Sequence, residues 1–330
     1  MKTLLIINRG RREKDPADAL VQQIREALAQ SGADVEICLS ASVDETDKAI
    51  AAGLANGMEA LWLGGGDGTL YHALNQTFGQ DIAYGIVPMG TINALARALG
   101  LPLDPLEAVK YLLRARPVKT DVGRISTEGR EVYFFTYATV GIHAAVFHNI
   151  NTQMKKRWGS LAFWESGVRT AWNKSRLPRL ALEINPADGP EKGDRVRDFG
   201  YSFTLSNVAN YSGFGAFTNE RPASPGYFEM HNFRRTRLLP MFAWYTVLRL
   251  FGRDVSKTHK DMELQKVRQV AAKSHHRMSV QADGEPLPKC RDLEFCCLKD
   301  AVKILLQSTD ARELKVEEPQ ADAPVSAKAD

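Results

Sequence analysis

Hydrophobic and polar positions in the first third of the chain alternate between two patterns. Short apolar runs, such as residues 4–7 and 60–63, predict buried strands. Between such runs, Leu20, Ile24 and Leu28 recur at helical spacing, which predicts an amphipathic helix. The predicted order is strand 4–7, helix 15–31, strand 35–39, helix 44–55, strand 60–63, helix 69–77, strand 85–88 and helix 93–99. Strands that alternate with helices through short connections indicate a parallel sheet covered on both faces.

The pattern changes after about residue 118, where strand-like runs dominate and two helical segments, near 153–175 and 237–251, interrupt them. The predicted strands cover 131–140, 180–184, 199–208, 226–233, 278–283, 293–297 and 302–306. This pattern predicts an antiparallel second domain of the sandwich or barrel kind. Residues 307–330 are polar, contain two prolines and predict a disordered tail.

Composition narrows the class of protein. The 330 residues are 44% hydrophobic and 25% charged, which suits a folded protein of two domains. A net charge of +4 is too small to indicate a nucleic-acid partner. The four cysteines form no CxxC pair, so reduced thiols are favoured over a zinc site or a disulfide framework. Since the apolar runs are too short for a signal peptide or a membrane span, we expect a cytoplasmic protein.

Two glycine-threonine turns follow neighbouring strands of the predicted parallel sheet. The first is 64-GGGDGT-69, and the second contains Gly90 and Thr91. Such sheets bind ligands at the carboxyl ends of their strands, where glycine admits a close approach and a helix start binds anions. One such turn is as often a simple tight turn, but two together favour a phosphate site. The absence of GxxxxGK[ST] excludes a P-loop, and the lack of GxGxxG after the first strand disfavours a dinucleotide redox domain.

Asp67 places a carboxylate inside the first of these turns. A carboxylate repels phosphate unless a cation lies between them or the carboxylate accepts a proton. Mg²⁺ that bridges carboxylate and phosphate oxygens meets this requirement and is usual in phosphoryl transfer. The alternative is that Asp67 only caps the following helix, although Thr69 is available for that role. We favour the metal.

A further carboxylate pair, Asp283 and Glu285, follows a strand-like pattern late in the chain. Asp-Gly is a strong signal for a hairpin turn, and that alone would explain Asp283-Gly284. Beside a phosphate site, a strand-end aspartate also suits the group that accepts a proton from the acceptor hydroxyl.

The motifs 65-GGDGT-69, 88-PMGTINALAR-97 and 283-DGE-285, in this order, resemble those of the diacylglycerol kinase catalytic-domain family, especially its bacterial soluble lipid kinases. The resemblance runs from about residue 3 to about residue 306. It implies an α/β N-terminal domain with an NAD kinase/phosphofructokinase-like parallel sheet and a β-rich, sandwich-like C-terminal domain. The implied boundaries are 1–120 for the nucleotide-binding domain, 121–306 for the domain with the lipid site and catalytic base, and 307–330 for the tail. The last strands could return to the first domain.

The resemblance also implies ATP and Mg²⁺ in the cleft between the domains, together with roles for individual residues. Asp283 would be the general base with support from Glu285, and Asp67 would lie near the metal. The implied nucleotide site consists of Asn8, Gly65, Gly66, Gly68, Thr69, Gly90, Thr91 and Asn93.

Four positions depart from the family pattern. Tyr71-His72 replace the asparagine-glutamate that often follows GGDGT, and His143 stands where many relatives carry aspartate. The first loop, 8-NRGRREK-14, differs from the usual Asn-Pro-x-Ser-Gly, so its arginines could contact phosphate or be solvated. The turn at 222–229 lacks the aspartates that hold a structural metal in some relatives, which puts a second metal in doubt.

Two segments combine basic and aromatic residues. Residues 155–176 contain three of the five tryptophans and six basic residues against one acidic residue, and residues 234–253 carry five arginines and no acidic residue. Such helices suit an anionic bilayer surface, but they could also pack on the second domain or form a dimer interface. We therefore expect a lipid substrate and peripheral contact with the inner membrane face, and we allow for a homodimer.

These observations together favour an ATP- and Mg²⁺-dependent lipid kinase that phosphorylates a hydroxyl of diacylglycerol or a related lipid in phospholipid biosynthesis. The alternatives are an NAD kinase-like enzyme and a nucleotide-binding regulatory protein without turnover. The second motif and the basic aromatic segments argue against the first alternative. Retention of Asp67, Asp283 and Glu285 argues against the second.

Overall fold

The computed structural model describes residues 1–9, 17–149, 179–188, 195–208, 225–234 and 262–307. Residues 10–14 of the first loop, residues 222–224, the tail after residue 307 and nearly all of the two basic aromatic segments lie outside these ranges. Among the described residues, no helix has the length and apolar character needed to cross a membrane.

The described elements begin with an alternating series and continue mainly with strands. The first part contains β1 (Thr3–Asn8), α1 (Ala17–Ser31), β2 (Val35–Ser40), α2 (Val43–Ala55), β3 (Ala60–Gly65), α3 (Asp67–Thr77), β4 (Ala83–Pro88), α4 (Ala94–Ala98) and α5 (Pro105–Leu112). The second part contains β5 (Arg116–Thr127), β6 (Arg130–Phe134), β7 (Tyr137–Gly141), α6 (Ile142–Asn149), β8 (Leu180–Pro186), β9 (Val196–Gly200), β10 (Ser202–Ser206), β11 (Phe228–Phe233), β12 (Met262–Ala282) and β13 (Glu285–Leu306).

The first part is a parallel sheet in the order β2-β1-β3-β4 with helices on both faces. Successive residues of β1 point to opposite faces, so Ile6 packs in one core with Ile50 of α2, and Leu5 packs in another with Ile24 of α1. Burial on both faces explains why these strands are continuous apolar runs rather than alternating ones. The predicted α/β region is thereby confirmed.

The end of the chain returns to this parallel sheet. Lys303 and Ile304 of β13 pair in parallel with Ala83 and Tyr84 of β4, while the preceding part of β13 pairs antiparallel with β12 and β5. All 13 described strands thus belong to one continuous sheet. The β-rich region that was predicted after the α/β region is present.

The β-rich region curves because the long strand β12 pairs with both β11 and β7. Its first residues pair with β11, its last residues pair with β7, and β10 joins β7 to β11. The enclosed face is apolar and contains Val140, Phe203, Met230 and Val280 in one buried cluster.

Several predicted boundaries in the second half are wrong. The strand predicted over 131–140 is divided into β6 and β7, because the backbone N–H groups of Phe135 and Thr136 bond to Asp283 instead of a neighbouring strand. The strand predicted over 199–208 is divided at Tyr201, whose N–H bonds to the carbonyl of Phe233. The predicted strands 293–297 and 302–306 are one strand, β13, and the sequence pattern did not predict α5, β5 or the first part of β12.

Candidate active site

The two glycine turns contact each other at the carboxyl ends of β3 and β4. The backbone N–H of Met89 donates to the carbonyl of Gly65 at 2.9 Å. A Cβ on Gly90 would lie 2.5 Å from the Cα of Gly66, and a Cβ on Gly66 would lie 3.2 Å from the Cα of Gly90. Because backbone lies against backbone there, Gly90 requires glycine, and Gly66 leaves very little room for a side chain.

The first turn leads directly into α3 and is closed by a threonine. A Cβ on Gly65 would lie 2.5 Å from Thr69 Oγ1, so only glycine leaves room for this side chain. Asn8, at the end of β1, donates from Nδ2 to Thr69 Oγ1 at 3.4 Å. The structure therefore places Asn8, Gly65 and Thr69 together at the N-terminus of α3, where backbone N–H groups point outward and can bind an anion.

Asp67 is the first residue of α3, but its side chain contacts the start of α4, the helix that follows the second turn. Its Oδ1 accepts a hydrogen bond from the N–H of Leu95 at 3.4 Å. The N-cap of α3 is Gly66, and no side chain caps that helix. Burial raises the pKa of Asp67, and hydrogen bonds from the backbone around Asn93, Ala94 and Leu95 oppose this shift. Asp67 thus joins the two turns rather than capping α3.

The second turn is shaped by Asn93. Its Oδ1 accepts from the N–H of Gly90 at 2.9 Å, and its Nδ2 donates to the carbonyl of Gly90 at 2.9 Å. Asn93 has a φ of 52°, in the left-handed region that asparagine tolerates better than most residues. Thr91 lies exposed at the tip of this turn.

Asp283 and Gly284 form a two-residue hairpin turn between β12 and β13. Both residues have positive φ, 49° and 86°, and the flanking Ala282 and Glu285 are paired. These are the features of a type I′ turn, which Asp-Gly favours. The hairpin interpretation is therefore confirmed, and the turn is located at the candidate site.

The carboxylate of Asp283 is buried and accepts hydrogen bonds from the β6–β7 connection. The N–H groups of Phe135, Thr136 and Tyr137 donate to it at 2.7, 2.8 and 3.1 Å, and the Thr136 hydroxyl donates as well. Burial raises the pKa of Asp283 to about 6, although each of these hydrogen bonds acts to lower it. A carboxyl with this pKa is suited to accept a proton near neutral pH.

Glu285 brings the late motif against the first glycine turn. A Cβ on Gly68 would lie 2.8 Å from Glu285 Oε1, so the carboxylate lies directly over the first turn of α3. Tyr71, one helical turn later, lies on the same side of α3. Burial raises the pKa of Tyr71 to about 12, and the charges of Asp283 and Glu285 contribute to the shift. The phenol therefore stays protonated beside two carboxyl groups.

The neighbouring side chains of α3 fix this helix in place. His72 faces α2, where its Nε2 lies 2.5 Å from Asp47 Oδ1. Asn75 binds β6 twice, donating to the carbonyl of Tyr133 at 2.9 Å and accepting from the N–H of Tyr133 at 2.8 Å. Sequence reasoning missed Asn75, as it missed Thr136, because a single polar residue in a helix or loop carries no signal for a distant backbone partner.

His143 lies at the start of α6 and not at the turn of Asp283. Its Nδ1 is 2.7 Å from Ser202 Oγ, and its ring contacts Phe233 with centroids 4.5 Å apart. Burial, together with the nearby His231, lowers the pKa of His143 to about 4. His143 is therefore a neutral, packed side chain at neutral pH.

The carboxylates at the site suit Mg²⁺, which shares its ligands with phosphates and water, better than a metal ion whose ligands all come from the protein. Among the described residues, no group of three or more histidine, cysteine, aspartate or glutamate side chains could hold a metal ion. Asp67 and Glu285 do flank the N-terminus of α3. Mg²⁺ in kinases is usually bound by one or two carboxylates together with substrate phosphates and water, so this arrangement suits it.

Comparisons with known proteins identify the family and agree with this fold. The family model of the diacylglycerol kinase catalytic domain matches residues 2–125. A diacylglycerol kinase of Mycobacterium tuberculosis is 30% identical over 279 residues, which cover 79% of this chain and 82% of that protein. A probable lipid kinase YegS-like protein of Pseudomonas fluorescens is 30% identical over 178 residues, covering 52% of this chain and 56% of that protein.

A solved structure supports the fold over almost the whole length. A putative diacylglycerol kinase from Bacillus anthracis superposes with a TM-score of 0.71 at 20% sequence identity, covering 92% of this chain and 97% of that chain. Fold and relatives together define the protein as a lipid kinase by class. The chain belongs to the diacylglycerol kinase catalytic-domain family.

Proposed function

We propose that this protein is an ATP- and Mg²⁺-dependent kinase that phosphorylates a hydroxyl of diacylglycerol or a related lipid. One observation carries the proposal: Glu285 Oε1 lies against Gly68, so the late Asp-Gly-Glu turn and the glycine-rich turn face each other. This contact supports the proposal because phosphoryl transfer to a hydroxyl requires a phosphate-binding helix start and a proton acceptor in the same site.

The two glycine turns are the proposed binding site for the ATP phosphates. Gly65, Gly66 and Gly68 keep the start of α3 free of side chains, and Gly90 does the same for the second turn. Thr69 and Asn8 stand beside this helix start and offer polar groups to phosphate oxygens. The exposed Thr91 and the Asn93 that shapes its turn complete the proposed nucleotide site.

Asp67 is the proposed metal ligand. When bound, Mg²⁺ would neutralise charge on the phosphates during transfer. Asp67 is held in place by the N–H of Leu95 in α4, which fixes the position of its carboxylate. Without a cation, a partly buried carboxylate beside phosphates would repel them.

The acceptor hydroxyl would lose its proton to Asp283, with Glu285 in support. The pKa of Asp283, raised by burial to about 6, leaves most of this carboxylate ionised at neutral pH yet basic enough to accept a proton. Its four hydrogen-bond donors also make it the anchor of the β6–β7 connection. Both roles require the same ionised carboxylate, and the exposed Glu285 would orient the hydroxyl or assist proton transfer.

The names of the relatives support the proposed acceptor, and a lipid acceptor in turn supports the proposed membrane contact. The relatives named above are called diacylglycerol kinase or probable lipid kinase, which supports a lipid acceptor for this chain. A lipid acceptor requires access to a membrane surface, so we propose peripheral binding through the basic aromatic segments 155–176 and 234–253. A homodimer remains a prediction from the sequence.

The test is ATP-dependent phosphate transfer to a panel of diacylglycerol, a sphingoid base, a polyprenol and NAD, with and without Mg²⁺. We expect labelled lipid from the wild-type protein, dependence on Mg²⁺, and a loss of about 10²-fold or more in Asp283→Asn. Labelled NAD without labelled lipid would establish the NAD kinase alternative. ATP binding without transfer to any acceptor would instead favour a regulatory protein.

A further inference from the structure

A glutamine close to the Asp283-Gly284 turn is completely buried. Gln281 lies in β12 between Val280 and Ala282, and none of these three side chains is exposed to solvent. Burial of an amide costs free energy unless its donor and acceptor groups find partners, and an apolar residue of similar volume would avoid that cost. Packing alone therefore does not account for glutamine at this position, whereas its hydrogen bonds do.

Both ends of the Gln281 amide have a partner. Its Oε1 accepts from the N–H of Gly284 at 2.7 Å, and its Nε2 donates to Thr139 Oγ1 at 3.0 Å. A backbone N–H can only donate, so the amide oxygen has to face Gly284 and the amide nitrogen has to face Thr139. Thr139 is itself buried and lies opposite Gln281 on β7. The side chain of Gln281 is thus held by β7 at one end and binds the turn at the other.

Gly284 is the residue of the turn with the greatest conformational freedom, because it has no side chain to restrain it. Its φ of 86° lies in the left-handed region. The preceding Asp283 is fixed by the four hydrogen bonds to its carboxylate and by its own N–H, which donates to the carbonyl of Tyr137 at 2.9 Å. Gln281 supplies a corresponding restraint for Gly284.

The orientation of Gly284 determines how two carboxylates lie relative to each other. Gly284 joins Asp283, the proposed proton acceptor, to Glu285, whose Oε1 lies against Gly68 at the start of α3. Groups that take part in catalysis have to be held within about 0.5 Å of the productive geometry by side chains whose own positions are fixed. Gln281 meets that condition, since it is buried and bonded at both ends.

We propose that Gln281 is a positioning residue for phosphoryl transfer, which acts through the N–H of Gly284 to fix Glu285 relative to Asp283. Because Gln281 is fully buried, it acts through the turn and not by contact with the substrates. Thr139 acts one step further away by holding the amide. This inference rests on the proposed kinase function and extends its site beyond the Asp-Gly-Glu motif.

The test measures kcat and the KM for ATP in Gln281→Leu, with Mg²⁺ and a short-chain diacylglycerol in mixed micelles. We expect kcat to fall about tenfold, because the turn loses a hydrogen bond that holds it in the productive geometry. The KM for ATP should stay unchanged, since the glycine turns are intact. Gln281→Glu keeps an oxygen that accepts from Gly284, so it should recover most of kcat. If Gln281→Leu does not fold, the more flexible Gln281→Met carries the same comparison.

Amide hydrogen exchange, followed by NMR, gives a second measurement that does not depend on activity. The N–H of Gly284 should exchange about tenfold faster in Gln281→Leu than in the wild type, and at close to the wild-type rate in Gln281→Glu. Thr139→Val frees the other end of the amide and should cause a smaller change in the same direction. The losses of kcat from Gln281→Leu and Thr139→Val should not add in the double variant, since both act through one side chain.

Asn232→Leu is the matched control. Asn232 is also a fully buried amide on a strand, but it donates to Asp198 Oδ2 and to the carbonyl of Phe199. Its stability should fall while kcat stays unchanged.

Four results would overturn the inference and leave the kinase function in place. These are an unchanged kcat in Gln281→Leu, an equal loss of kcat in Asn232→Leu, a loss confined to the KM for ATP, and unchanged exchange of the Gly284 N–H. Additive losses in the double variant would overturn the role of Thr139. A wild-type protein that transfers phosphate to no lipid would overturn the kinase function itself, and the role of Gln281 with it.

Discussion

Asp283 accepts two hydrogen bonds from Thr136, one from its backbone N–H and one from its hydroxyl. This pair fixes the Asp283-Gly284 turn against the β6–β7 connection and also influences the acidity of the carboxyl. Burial raises the pKa of Asp283 to about 6, and the bonds from Thr136 limit that rise because they stabilise the ionised form.

The first prediction concerns the pH dependence of catalysis. If ionised Asp283 accepts the proton, kcat/KM falls as the pH decreases through about 6. Thr136→Val removes the hydroxyl donor, so the pKa of Asp283 rises and the acid limb of the profile moves to higher pH. A profile of kcat/KM against pH for both proteins measures the shift, and coincident acid limbs would contradict the assignment of Asp283 to that limb.

The raised pKa of Asp283 also predicts how the stability of the folded state changes with pH. Its folded value, about 6, lies above the ordinary value of 3.8, so the folded state holds its proton to higher pH than the unfolded state. The contribution of Asp283 to stability is therefore complete below pH 3.8 and lost as the pH rises through about 6. Urea unfolding of the wild type and Asp283→Asn across this window should show the difference between them changing in that direction.

A second prediction tests the contact between Gly68 and Glu285. Gly68→Ala places a methyl group 2.8 Å from Glu285 Oε1, which a flexible side chain can avoid by moving. We expect kcat to fall about tenfold with little loss of stability, since the displaced group is the end of an exposed side chain. In a double-mutant cycle, Gly68→Ala should have little further effect in a Glu285→Ala background. Additive losses would show that the two residues act independently.

A third prediction concerns the contact between the two glycine turns. Gly90→Ala places a methyl group 2.5 Å from the Cα of Gly66, and backbone cannot move aside as a side chain can. We expect a rise of about tenfold or more in the KM for ATP and a loss of about 1–3 kcal/mol in stability.

Gly129→Ala is the control for the Gly90 variant. Gly129 has a φ of 80° and open space around a Cβ, so alanine there strains the backbone without a clash. It lies in the β5–β6 turn, away from the glycine turns. Its stability should fall by about 1 kcal/mol with the KM for ATP unchanged. A raised KM in both variants would attribute the effect to general destabilisation.

A fourth prediction concerns Tyr71. Tyr71→Glu adds a negative charge beside Asp283 and Glu285, because these groups already interact with the phenol. Like charges raise the pKa of neighbouring carboxyl groups, so the acid limb of kcat/KM should move to higher pH. Tyr71→Phe, which adds no charge, should leave that limb in place. Identical profiles for the two variants would show that position 71 does not influence the acidity of the site.

The sequence predicted the parallel α/β region well, because its strands are continuous apolar runs and its helices have helical periodicity. The predicted strand 35–39 and the predicted helix 44–55 differ from β2 and α2 by one residue. The β-rich region was harder to predict, since the long strands β12 and β13 change partners along their length. Local alternation cannot show where such a strand exchanges one neighbour for another.

The sequence likewise identified some residues of the candidate site and missed others. The sequence singled out Asp67, Asp283 and the glycines, because Gly-Gly-Asp-Gly-Thr and Asp-Gly-Glu have few common meanings. Phe135, Thr136 and Asn75 could not be found, since their role lies in hydrogen bonds to residues far away along the chain. The roles given to the site residues remain predictions for the experiments above.

By itself, the sequence singled out the short motifs of the candidate site and determined that a parallel α/β region precedes a β-rich one. Apolar periodicity and turn chemistry are local properties, so they can be read from neighbouring residues. Tertiary structure alone decided that Glu285 lies on Gly68, that Asp67 binds the backbone of α4, and that Thr136 binds Asp283. Those contacts depend on strand register and on the return of β13 to β4, which are fixed by packing across the whole sheet.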